Sequence, residues 1–142
     1  MSLSYSCSTN SKIRLFALLF FSIASHAAGA VAALDTIDIK IGQTSYRVEL
    51  ARTSAQRRQG LMHREQLARN GGMLLVYPRS GDHRIWMKNM RIPLTVLWID
   101  EQFRVLQIQR LLPCQASPCP VFSAPLPARY ILELSDDEHD VK

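Results

Sequence analysis

Apolar residues alternate with polar ones along much of the chain, the period of a strand with one face in a core. Thr36-Ile37-Asp38-Ile39-Lys40-Ile41 alternates strictly. Gly42-Gln43-Thr44 then turns the chain into Ser45-Tyr46-Arg47-Val48-Glu49-Leu50, where Tyr46, Val48 and Leu50 share a face. The two segments predict a hairpin with one wet side, on which Glu49 lies beside Arg47. Further strands are expected over Met73 to Tyr77, Arg84 to Lys88, Leu94 to Ile99, Phe103 to Leu111 and Ala128 to Leu134. The hairpin-length gap Asp100-Glu101-Gln102 implies an antiparallel meander. The pattern predicts a mainly β, β-rich α+β fold: a compact antiparallel sandwich or small barrel of about seven short strands with one or two short helices.

One helix announces itself by its caps. Thr53-Ser54-Ala55-Gln56 has the spacing of a capping box, in which the Thr53 hydroxyl accepts from the Gln56 N–H and the Gln56 side chain reaches back. Gly60 follows at a C′ position, and Arg57 and Arg58 sit where cations suit the helix dipole. A second helical turn is expected from His63 to Ala68, before Asn70-Gly71-Gly72 breaks the chain. Residues 31–134 thus form a single β-rich domain, and Ser135 to Lys142 an acidic polar tail.

Ahead of the domain, Lys12 and Arg14 precede the apolar run Leu15 to Ala24, which is too short to span a bilayer. It reads as a signal peptide over residues 1–27, with small residues placing cleavage after Ala27 or after Ala30. The mature protein is then expected to be periplasmic or secreted, with no stable membrane insertion. Processing also changes the charge. The 142-residue chain has 17 basic and 12 acidic residues, net +5; loss of Lys12 and Arg14 takes the basic count to 15 and the net to +3. That weakens any case for nucleic acid.

Cys114 and Cys119, bracketing a Pro-rich loop, then remain as an even pair in an oxidising compartment, most simply a disulfide. So small a ring contributes about 2 kcal/mol, so its purpose is to pin a loop. A redox centre is the sharper alternative, but the spacing exceeds that of Cys-x-x-Cys and no helix start follows to depress a thiol pKa.

The signatures of serine hydrolases, zincins, phosphate-binding loops and dinucleotide folds are missing. The densest constellation of polar and aromatic side chains is His83-Arg84-Ile85-Trp86-Met87-Lys88-Asn89-Met90-Arg91-Ile92-Pro93. Two readings fit it. Trp86, Lys88 and Asn89 could line a pocket as stacking platform, anion anchor and amide; equally, Trp86 could pack while Lys88 and Asn89 turn the chain before Pro93. A Cu(I) site through His83, Met87 and Met90 has suitable soft ligands, although Met87 and Met90 point oppositely in an extended strand.

These residues resemble the bacterial and archaeal domain of unknown function 192 family. The resemblance runs through Val48-Glu49-Leu50-Ala51, Arg58-Gln59-Gly60-Leu61-Met62 with Arg64, and Gly72-Met73-Leu74-Leu75-Val76. It continues through Trp86-Met87-Lys88-Asn89, Ile92-Pro93-Leu94, Ile99-Asp100 and Ala128 to Leu134. It implies a compact, mainly β fold with no assigned activity, and it places the family's shared polar residues on Arg58, Arg64, Trp86, Lys88, Asn89 and Glu133. Two departures stand out: Thr95 where the family pattern has Asp, and Ser135 to Lys142 in place of a glycine-rich turn and a last strand.

The expectation is a non-catalytic ligand-binding or envelope accessory protein. Its cleft would be formed by those six residues, and its ligand would be a small, anionic or glycan molecule met by arginine. No cofactor or metal is called for. The alternative is an enzyme of unassigned type using Lys88, Asn89 or Glu133.

Overall fold

A computed structural model describes residues 33–136, so the signal segment and the last residues of the acidic tail, 137–142, lie outside the described residues. The elements are β1 (Thr36–Ile41), β2 (Thr44–Ala51), α1 (Ser54–Gln59), β3 (Gly71–Gly81), β4 (Ile85–Trp86), β5 (Leu94–Ile99), β6 (Val105–Leu111), β7 (Val121–Phe122) and β8 (Ala128–Ser135). Six strands form one sheet in the order β1-β2-β3-β8-β5-β6, and β4 with β7 makes a small separate ribbon. The β-rich expectation holds.

Local signals produced what they predicted. The β1–β2 hairpin closes over Gly42 and Gln43, and Gly42 takes φ +60°, a value that suits the tight turns twisted strands require. α1 carries its capping box, with the Gln56 N–H donating to Thr53 Oγ1 at 3.2 Å and the Thr53 N–H to Gln56 Oε1 at 2.9 Å. Asp100 holds the β5–β6 turn by accepting from the N–H groups of Gln102 and Arg104. Burial opposes ionisation of Asp100, yet those N–H groups and the Arg104 guanidinium hold its pKa below the ordinary value.

The sheet is mixed where an antiparallel sandwich or barrel was expected, and it is not a closed barrel. β2 and β3 run parallel, so residues 52–70 must carry the chain back across the sheet, and α1 lies in that crossover. The second helical turn after α1 does not form. His63 sits at φ +66°, outside the helical region, and its N–H donates to the Asn89 carbonyl at 3.0 Å, a tertiary bond replacing a local one.

Both sheet faces bury apolar side chains. On one, Met73, Leu75, Val96, Trp98 and Ile131 pack with Leu61, Ile85 and Met87 from the connections. On the other, Tyr46, Val48, Leu97, Leu132 and Leu134 form a second cluster. The close approach of β3 to β8 is set by Gly72, where a Cβ would lie 2.2 Å from the Glu133 carbonyl oxygen. Backbone cannot yield there as a flexible side chain could. Gly72→Ala is therefore expected to cost about 3 kcal/mol, read as a lowered urea midpoint; a loss below about 1 kcal/mol would mean the strands separate freely.

Candidate functional site

The alternation of β8 puts Ile131 and Glu133 on one face and Leu132 and Leu134 on the other. Glu133 lies between Met73 of β3 and Val96 of β5, a carboxyl at the middle of an apolar sheet face. It is 7% exposed, and its Oε2 is buried without a hydrogen-bond partner among the described residues. Burial pushes its pKa up to about 7.

Above it lies a cavity of about 490 Å³. α1 and the segment behind it supply Arg57, Arg58, Gly60, Leu61 and Met62. The sheet contributes Leu75, Tyr77 and Glu133, and the β4–β7 ribbon with its flanks contributes Arg84, Ile85, Trp86, Met90 and Val121. Gly60 sits at φ +48°, and a Cβ there would lie 3.6 Å from Glu133 Oε2. The residue after the helix thus brings bare backbone against the carboxyl.

Most cations around the cavity are committed elsewhere. Arg57 donates to the Val76 carbonyl at 2.9 Å and lies over the Tyr77 ring, which stacks on His83 with centroids 3.6 Å apart. Arg84 pairs with Asp82. Arg58 is exposed and makes no ion pair or hydrogen bond among the described residues. Trp86 is 48% exposed, with Lys88 Nζ 5.3 Å from its ring centroid. For Tyr77, burial raises the pKa; Arg57 opposes that and the Glu133 charge reinforces it.

Of the six residues singled out by sequence, the cavity gathers Arg58, Trp86 and Glu133. The other three have separate work. Arg64 makes a two-pronged ion pair with Glu49, one contact at 2.7 Å, fastening the crossover to β2 and taking Glu49 out of the solvent-facing role expected of it. Lys88 and Asn89 are the central residues of a turn closed by the Met90 N–H on the Met87 carbonyl; Asn89 takes φ +60°, a conformation asparagine tolerates. Trp86 thus lines the cavity, while Lys88 and Asn89 turn the chain.

His83, Met87 and Met90 have different surroundings: His83 is stacked on Tyr77, Met87 is 1% exposed in the core, and Met90 is half-buried at the cavity. Among the described residues no three His, Cys, Asp or Glu side chains group as metal ligands. Thr95, where the resemblance calls for Asp, lies on the sheet face opposite Glu133, where its hydroxyl meets Asp136 at 3.3 Å.

Sequence reasoning missed Arg57 and Tyr77 as lining residues; Arg57 carried a signal, as a cation in the last turn of a capped helix. Arg84 and Met90 lay in the dense constellation and Met62 in the resemblance motif, but none was chosen for the cleft.

Cys114 and Cys119 are disulfide-bonded. The Cys114 N–H donates to the Met87 carbonyl at 3.1 Å, and β7, just after Cys119, pairs Val121 with Trp86. The pinned loop thus supports one wall of the cavity.

Glu133 makes a stability prediction. Its folded pKa of about 7 exceeds the ordinary 4.5, so the native state binds more protons between those values and stability falls as pH rises through that window. The fall is about 3 kcal/mol between about pH 4.5 and pH 7.5. Urea titrations across this range should show it in the wild type and not in Glu133→Gln; parallel curves for the two would refute the assignment.

The family model DUF192, described as Uncharacterized ACR, matches residues 37–140. Among solved structures, a protein from Sinorhizobium meliloti described as a candidate transcription regulator is 30% identical, with a TM-score of 0.62 and coverage of 73% of this chain and 83% of that one. A protein of unknown function from Novosphingobium aromaticivorans is 27% identical, with a TM-score of 0.61 and coverage of 72% and 73%. The search of curated proteins found no match. With the family match spanning the whole sheet and the cavity on it, the chain belongs to the domain of unknown function 192 family.

Proposed function

We propose that this protein is an exported binding domain that holds a small organic ligand in the cleft over Glu133. The observation that carries the reading is the unpartnered Oε2 at the cleft floor. A buried polar atom without a hydrogen bond destabilises the fold, and a ligand that supplies the missing partner recovers that loss. Trp86 offers a half-exposed aromatic face at the rim, and Arg58 offers an uncommitted guanidinium beside it. The signal-like segment at residues 1–27 and the Cys114–Cys119 disulfide both suit a periplasmic or secreted location. Among the described residues no helix is long and apolar enough to cross a membrane.

The regulatory description of the Sinorhizobium meliloti relative is not carried over, because a carboxylate at the cleft floor disfavours a phosphate backbone. A second reading draws on the elevated pKa of Glu133, which suits a general acid or base near neutral pH. Under that reading the cleft would convert its ligand, with Glu133 as the catalytic residue.

Titration of the purified protein against a panel of small polar metabolites, followed by Trp86 fluorescence, tests the binding reading. A saturable change is expected, and Trp86→Ala should weaken binding about tenfold, about 1.4 kcal/mol, measured by calorimetry. A panel that leaves Trp86 and the neighbouring chemical shifts unmoved removes the proposal. Mass spectrometry of the recovered ligand separates the two readings: turnover that stops in Glu133→Gln favours the enzyme, and an unchanged ligand favours the binder.

A further inference from the structure

The cleft changes character with depth. At the mouth stand the exposed Arg58 and the half-exposed Trp86; below them Leu61, Leu75 and Ile85 are buried, with Met90 half-buried; at the floor is the single carboxyl of Glu133. A polyol could pair hydroxyls with Ser54, Gln59 or the arginines, but those facing Leu61, Leu75 and Ile85 would be left unpaired. An anion reaching the floor would meet a like charge, and a purely apolar ligand would leave Oε2 as lonely as before. An ammonium group supplies both what the atom lacks, a hydrogen-bond donor, and the opposite charge in a setting of low dielectric.

We infer that the cleft takes a primary amine on an apolar stem, with the ammonium at Glu133, the stem along Leu61, Leu75 and Ile85 against Trp86, and any carboxylate at the outer end held by Arg58. The inference rests on the reading of this cleft as a ligand site and names the chemistry that reading leaves open.

Binding of a cation requires the ionised carboxylate. The charged and titratable groups facing Glu133 are Tyr77 from β3, Arg57 and Arg58 from α1 and its end, and Arg84 ahead of β4; its sheet neighbours Met73 and Val96 carry no charge. Arg57 and Arg84 are held by the Val76 carbonyl and by Asp82, and no hydrogen bond joins any of these cations to Glu133. Among the described residues no cation therefore neutralises the floor carboxyl. An alkylamine stays protonated throughout the neutral range, so affinity should follow the ionisation of Glu133 alone, rising about tenfold from pH 6 to pH 8.

The experiment uses four probes of one chain length, n-pentylamine, n-pentanol, pentanoate and δ-aminovalerate, together with neutral and acidic oligosaccharides. Binding is read by Trp86 fluorescence and by the carboxyl carbon shift of Glu133 at pH 6, 7 and 8. n-Pentylamine and δ-aminovalerate are expected to bind, with affinity climbing with pH and the Glu133 pKa falling on saturation. Glu133→Gln should weaken both at least tenfold and flatten the pH response. Arg58→Ala should weaken δ-aminovalerate at least tenfold relative to n-pentylamine. Should Glu133→Gln fail to fold, the wild-type pH series decides.

Pentanol, pentanoate or an oligosaccharide binding more tightly than the amine, or amine affinity flat in pH, overturns this inference while the cleft remains a ligand site. Silence from every probe and from the wider metabolite panel removes both.

Discussion

A carboxyl group held in the middle of an apolar sheet face is the constraint around which this molecule is arranged. Glu133 could escape its desolvation only if β8 lay at a sheet edge, yet β8 is paired on both sides, to β3 and to β5. On the β3 side the approach is so close that only glycine fits at position 72. The charge therefore has no route to water along the sheet, and the space above it is what remains. The crossover and the β4–β7 ribbon leave that space open, with Gly60 presenting backbone where a side chain would have begun to fill it.

This arrangement explains why some of the six polar residues singled out from the resemblance line the cleft and others do not. Arg64 and Asn89 shape the two segments that border it: Arg64 fastens the crossover to Glu49, and Asn89 accepts the His63 N–H while turning the chain after Trp86. A substitution at either would change the cleft by moving its walls, since the cavity lining includes neither. Of those six residues, Arg58, Trp86 and Glu133 are the ones that line it.

What the sequence revealed and what it concealed divide along the range of the interactions. The β1–β2 hairpin, the Thr53 cap and the Asp100 turn each rest on residues a few positions apart, so alternation and turn chemistry sufficed to read them. The parallel pairing of β2 with β3 joins segments on either side of a helix, and β4, which lies inside the strand expected from Arg84 to Lys88, finds its partner in the two-residue β7 far along the chain; neither pairing has a local signature. At the site, Glu133 was legible through the family resemblance alone. Tyr77 was not, because strand periodicity does not say which loop will fold over a given face.

The Cys114–Cys119 ring also acts on the cleft. By closing the chain just ahead of β7 and bonding to the Met87 carbonyl, it fixes the wall that carries Trp86 before any ligand arrives. The conformational entropy of ordering that wall is spent at folding, so under the proposed binding role an incoming molecule would meet a preorganised surface and lose less of its binding free energy to rearrangement. In that role a covalent link on the far side of a two-residue ribbon would contribute to affinity through atoms that never touch the ligand.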